Sequence, residues 1–137
     1  MQQICTSTIY ERKHNAEILT PINICQEMIE NCSKYCNCLQ TKLNMRDLPA
    51  IIEPCCGKGA FCVCLYEKLK ELGYNEQQIL EEILYINDIN KFNTFIVSLI
   101  LNPLNKYKMN IWNENAISGI DYSDFDLVIT NPPYNNE

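Results

Sequence analysis

Apolar positions follow two rhythms along this chain, and the rhythms alternate. In "TPINICQEMIENC", Thr20 stands where a helix cap belongs and Pro21 fits the first helical position. Ile24, Met28 and Ile29 then recur at helical spacing. Residues 34–48 are polar and read as a connection. "AIIEP" (50–54) is a short apolar strand stopped by proline. "CCGKGAFCVCLYEKLKELG" predicts a glycine-rich turn and then a helix closing at Gly73. Asn75 heads a short helix through Glu82, and "ILYIND" (83–88) is a second strand. "NKFNTFIVSLILN" predicts a helix ended by Pro103; "YKMNIW" and "FDLVIT" (125–130) give two more strands.

One helix is thus followed by strand, helix, strand, helix, strand, strand. Strands that alternate with helices imply an α/β fold with a mainly parallel sheet and right-handed crossovers. Ligands of such sheets sit at the C-terminal ends of the strands, near the point where the strand order reverses. Three polar features fall at strand ends: "EPCCGKG", "ND" and "NPPY".

With 137 residues the chain can bury one core, and 47% apolar with 20% charged residues reads as globular. No apolar run has the length of a membrane span, and no basic segment leads into an apolar one at the N-terminus. The expectation is an intracellular protein, cytoplasmic, nucleoid or nuclear. A net charge of −6 argues against this chain alone gripping a polyanion. Nine cysteines, an odd number that includes the adjacent Cys55 and Cys56, fit a reducing compartment better than a disulfide framework. Cys32, Cys36 and Cys38 lack the spacing of a zinc site, and no metal is expected. Cys62 and Cys64 read as core filler and His14 as a surface residue. "DYSDFD" (121–126) reads as a solvated loop.

Gly57 and Gly59 between strand and helix allow a tight turn and close approach of a ligand to the backbone. A dinucleotide fingerprint would need a third glycine where Cys62 stands. A phosphate loop would need Ser or Thr after Gly-Lys, whereas Lys58 precedes Gly59. On their own, the glycines fit a structural strand–helix turn equally well. Asp88, at the next strand end, is placed to accept both hydroxyls of a ribose, or else it is a solvated acid opening a helix. Glu53 carries the same pair of readings. Together the glycines and the acid point to a nucleoside-bearing ligand with no need for pyrophosphate.

"EPCCGKGAF" followed by "NPPY" resembles the amino-group DNA methyltransferases that use S-adenosylmethionine, and the acid-Pro-x-x-Gly-x-Gly-x-Phe form resembles their adenine-N6 branch. The resemblance runs from about Ala16 to Tyr134. It implies a Rossmann-like class I methyltransferase sheet, and it places the cofactor against Glu53, Pro54, Gly57, Gly59 and Phe61. "AEILTPINICQEMIE" resembles the preceding helix, whose Thr20-Pro21 would meet the methionine part. "YINDIN" would give Asp88 to the ribose and Ile89 to the adenine. In "NENAI", Asn115 stands where the family has an Asp that accepts from the cofactor amino group.

The quartet Asn131, Pro132, Pro133 and Tyr134 would be catalytic. An exocyclic adenine amine is a poor nucleophile because its lone pair is delocalised into the ring. By resemblance, the Asn131 side-chain carbonyl and the Pro132 backbone carbonyl accept from its N–H bonds where charge develops. The prolines stiffen the turn, and Tyr134 offers a face for a flipped-out base. A Ser would be expected at Asn131 in a cytosine-N4 enzyme. An RNA base or a protein glutamine amide remains an alternative acceptor.

From Gly59 to Asn131 is 131 − 59 = 72 residues, too few for a target-recognition domain between them. This order resembles the gamma arrangement, with recognition C-terminal to the quartet. Residues 1–137 are therefore read as a single truncated catalytic domain with an N-terminal tail (1–15) and about four strands of an incomplete sheet. DNA would be engaged through a C-terminal region or a partner chain. The alternative is a split or decayed piece that binds cofactor without catalysis.

Overall fold

The computed structural model describes residues 20–35 and 47–132. The tail 1–15, His14, Cys36, Cys38, Pro133 and Tyr134 lie outside the described residues. Helix α1 (Ile22–Tyr35) comes first, followed by β1 (Ile51–Glu53) and α2 (Ala60–Glu71). A π-helical turn (Gln78–Ile83) leads directly into β2 (Leu84–Asn87). Then come α3 (Lys91–Leu101), β3 (Asn110–Trp112) and β4 (Leu127–Val128).

The four strands form one parallel sheet in the order β3-β2-β1-β4. Ile51 pairs with Leu84 on one side and Leu127 on the other. The chain leaves β1 toward β2 and β3, then returns to lay β4 against the opposite side of β1. The strand order therefore reverses between β1 and β4, which is where such sheets bind ligands. The expected α/β architecture is the observed one.

Because side chains alternate along a strand, Ile51, Leu84, Ile86 and Leu127 share a face. That face joins one core with Cys25 and Ile29 of α1, most of the apolar side of α2, and Val97 and Leu101 of α3. Cys62 and Cys64 are core filler as expected. The opposite face carries Tyr85 and Trp112. They meet Phe125 in a cluster with ring centroids 5.0 to 6.1 Å apart.

Several boundaries differ from expectation. Helix α1 continues through Lys34 and Tyr35 into the stretch read as a connection. The short helix headed by Asn75 is largely a π turn. Asn75 Oδ1 accepts from Gln78 N at 2.8 Å while Gln78 Oε1 accepts from Asn75 N at 3.0 Å, a reciprocal cap. The wider turn buries Ile79, Leu80 and Ile83 together. Strand β4 is shorter than 125–130, and its start is set by a side chain: Asp126 Oδ2 accepts from Ala50 N at 2.8 Å. Asp126 is thus a tether to the start of β1, whereas Asp121 stays in the loop and accepts from Ser123.

Candidate functional site

Glu53 ends β1, and only 2% of its surface is exposed. Its carboxylate accepts from Cys55 N at 3.4 Å and from Thr130 Oγ1 at 3.3 Å, which joins the ends of β1 and β4. Burial pushes the Glu53 carboxyl up to about 8, against the pull of those two hydrogen bonds and with help from the charge of Asp88. Burial likewise pushes the Cys55 thiol up to about 11, with Glu53 and Asp88 adding to it. Cys55 is therefore a neutral thiol at neutral pH.

The turn after β1 needs its glycines. Gly57 and Gly59 have φ of 54° and 100°. A Cβ on Gly59 would come within 2.9 Å of Val97 Cγ2, whereas one on Gly57 would meet nothing within 4 Å. Gly59 is held by packing against α3, and Gly57 borders open space. Asp88, just past β2, fastens this loop: its Oδ2 accepts from Gly57 N at 2.9 Å and its Oδ1 from Asn90 N at 2.8 Å. Asn93 of α3 stands between two charged groups, donating from Nδ2 to Asp88 Oδ2 at 3.3 Å and accepting from Lys58 Nζ at 2.6 Å. Lys58 is itself buried and lies 4.9 Å from the Phe92 ring centre.

Asn87 was not among the expected site residues, yet it ties three strand ends together. Its Nδ2 donates to Pro54 O at 2.8 Å and Glu114 O at 3.0 Å, and its Oδ1 accepts from Glu114 N at 2.8 Å. Its own carbonyl accepts from Cys56 N. An Asn in the last position of an otherwise apolar strand, immediately before Asp88, was the available signal. Asn113 and Thr130 were likewise missed. Asn113 donates to Asp88 O and to Thr94 Oγ1, both at 2.9 Å.

Asn131 and Pro132 follow β4 beyond Thr130. Asn131 Nδ2 donates to Thr20 Oγ1 at 2.7 Å, so two expected site residues 111 positions apart are in contact. Thr20 was expected to cap α1; among the described residues, its hydroxyl accepts from Asn131. Pro21 is exposed at the start of α1, where its carbonyl accepts from Ile24 N and Cys25 N. Pro54 is buried, and Phe61 points into the core with 4% exposure. Ile89 stands 70% exposed beside Asp88. Asn115 Oδ1 accepts from Ile117 N at 2.9 Å and Ser118 N at 3.2 Å, which turns that carbonyl into its own loop.

The profile of the N-6 DNA methylase family matches residues 6–137, nearly the whole sequence. The chain belongs to the N-6 DNA methylase family. Its fold is also that of a solved structure, a modification subunit attributed to a type I restriction enzyme from Vibrio vulnificus YJ016. The TM-score is 0.56 at 20% identity, over 90% of this chain. The chain spans 25% of the length of that subunit. No curated protein matches it. Among the described residues, no helix is long and apolar enough to cross a membrane.

Proposed function

We propose that this chain is the cofactor-binding and amine-activating part of an S-adenosylmethionine-dependent methyltransferase acting on adenine N6 in DNA. The observation that carries the reading is convergence. Glu53 ends β1, Asp88 follows β2 and Asn131 lies just beyond β4, three neighbouring strands of a parallel sheet whose order reverses between β1 and β4, in a chain of the N-6 DNA methylase family.

The residues suit the donor. Gly57 borders open space where a ligand can lie along the backbone. Among the described residues, three donors reach the Asp88 carboxylate, which has about four lone-pair positions, so one of them is left for a ribose hydroxyl. Exposed Ile89 offers an apolar surface to an adenine ring. The buried Glu53 carboxyl gains from any ammonium brought beside it, because that charge offsets the cost of ionising in a dry site.

When bound, S-adenosylmethionine supplies an electrophilic methyl carbon on a positively charged sulfur. The chain's own residues hold the nucleophile. Asn131 Oδ1 and the Pro132 carbonyl accept from the adenine amine, which localises the nitrogen lone pair and stabilises the positive charge that grows there. Pro132 keeps the Asn131 backbone extended. Tyr134, with Pro133 stiffening the turn, would stack the base. DNA would be gripped by a further region or subunit, consistent with a net charge of −6 here.

Titration calorimetry with S-adenosylmethionine, paired with a methyl-transfer assay on adenine-containing DNA, tests the reading. Asp88→Asn should weaken donor binding. Asn131→Ala should keep donor binding and abolish transfer. Equal loss of binding and transfer in Asn131→Ala, or transfer to RNA or a protein amide in preference to DNA, would overturn it.

A further inference from the structure

We infer that Thr20 is the positioning residue that aims the side-chain carbonyl of Asn131. The inference rests on the amine-activating role proposed for Asn131 and adds to it a residue from the other end of the chain.

Asn131 donates from Nδ2 to Thr20 Oγ1 at 2.7 Å. Its Oδ1 accepts nothing from the described residues. In a planar amide, fixing the nitrogen end fixes the oxygen end as well. The terminal torsion of an Asn is broad and roughly two-fold, so packing alone discriminates poorly between the two orientations. The chemistry discriminates strongly. With Oδ1 toward an adenine amine, acceptor meets donor. Turned over, two donors face two donors, and activation is lost. A hydroxyl can accept or donate, so Thr20 fixes where the amide sits; in the orientation it holds here, Nδ2 is on Thr20 and Oδ1 is left for the base before any base arrives.

Thr20 is a firm anchor for this purpose. Its carbonyl accepts from Cys25 Sγ at 3.7 Å, and Pro21 restricts it to extended backbone geometry. The first turn of α1 closes on Pro21 O at 3.0 and 3.1 Å. Helix α1 is docked on α2 through buried Cys25 and Ile29 and through Lys68 with Glu30 at 3.0 Å. On the other side of the contact, Thr130 is tied to Glu53 at 3.3 Å. The Asn131 amide thus spans from the sheet to the helix layer that carries the glycine loop. Its direction depends on both.

The test compares Thr20→Val, which keeps shape and loses the hydroxyl, with Thr20→Ser, which keeps the hydroxyl; Thr20→Ala replaces Val should the valine variant fail to fold. The full chain, with any subunit it works with, is assayed for kcat on adenine-containing DNA and KM for S-adenosylmethionine. The Asn131 side-chain amide protons are followed by NMR hydrogen exchange on the chain itself. In Thr20→Val, the Asn131 amide protons should lose protection and kcat should fall on the order of 10- to 100-fold, the scale of a misaimed reacting group. Any rise in KM for the donor should be smaller than the fall in kcat, and Thr20→Ser should restore both readouts. An unchanged kcat in Thr20→Val, a Ser variant as slow as Val, or a loss confined to KM for the donor would each overturn the inference. Asn131→Ala separates the two levels. If it still transfers methyl groups, the role of Asn131 fails. If it does not, while Thr20→Val transfers normally, only the role of Thr20 fails.

Discussion

Replacing Glu53 by Gln should change how the stability of this protein depends on pH, and the sign and size follow from burial. The carboxyl has an ordinary value of 4.5 and is pushed up to about 8 in the fold. Between those values the folded chain holds a proton that the unfolded chain has released. Stability therefore falls as pH rises through this window, by about 1.4 kcal/mol per pH unit, and levels off above it. Across the window from 4.5 to about 8 the loss approaches about 5 kcal/mol as an upper bound, because buried sites relax and admit water. A domain this size is stable by roughly 5–15 kcal/mol, so the effect is large. Gln mimics the neutral carboxyl in shape and does not titrate. Urea unfolding at about pH 5, 6.5 and 8 should show the wild-type midpoint dropping relative to Glu53→Gln with the slope m unchanged. Taking the difference between the two proteins removes every group they share. Parallel pH profiles, or a wild type that gains on the variant as pH rises, would refute the reasoning and mean that Glu53 is charged in the folded protein.

Two further substitutions probe how the site is held. Gly59→Ala should destabilise by roughly 1–3 kcal/mol through its positive φ alone. Its Cβ 2.9 Å from Val97 Cγ2 adds a clash, so Gly59→Ala with Val97→Ala should recover only part of the loss in thermal melts. Asn87→Leu should cost on the order of 1–3 kcal/mol in denaturant unfolding, because it removes three hydrogen bonds and strands the carbonyl of buried Pro54, whereas Glu114 is exposed and its backbone groups can turn to water.

The sheet was legible in the sequence because its strands are short apolar runs bounded by turn residues, and Ile51–Glu53 and Leu84–Asn87 fall inside the expected spans. The strand ends were legible for the same reason: Glu53, Asp88 and Asn131 are the polar residues that stop the apolar runs. The polar network behind them was not. Asn87, Asn93, Asn113 and Asp126 act through amides and carboxylates that reach across 27, 5, 25 and 76 positions, and apolar periodicity carries no information about such contacts. The contact of Thr20 with Asn131 was hidden for a related reason. A Thr before Pro and an apolar helix has the local signature of a cap, and a partner 111 residues later leaves no local trace. Phe61 was placed with the cofactor by its motif position alone; in the fold it is a buried residue of α2.

The pairing of β1 with β4 also bears on the cost of assembly. Ile51 meets Leu84 after a span of 84 − 51 = 33 residues and Leu127 after 127 − 51 = 76, so the second closure is the costlier one. Each doubling of a loop costs only about 0.6 kcal/mol in closure entropy, but β4 offers just two strand residues in return. Contacts this distant along the chain form slowly. During folding, the glycine loop and Asp88 can come together from a contiguous stretch of chain while Asn131 is still free. Closure entropy alone therefore favours the part that would recognise the donor forming before the part that would activate the acceptor, with the β1–β4 pairing as the longer closure.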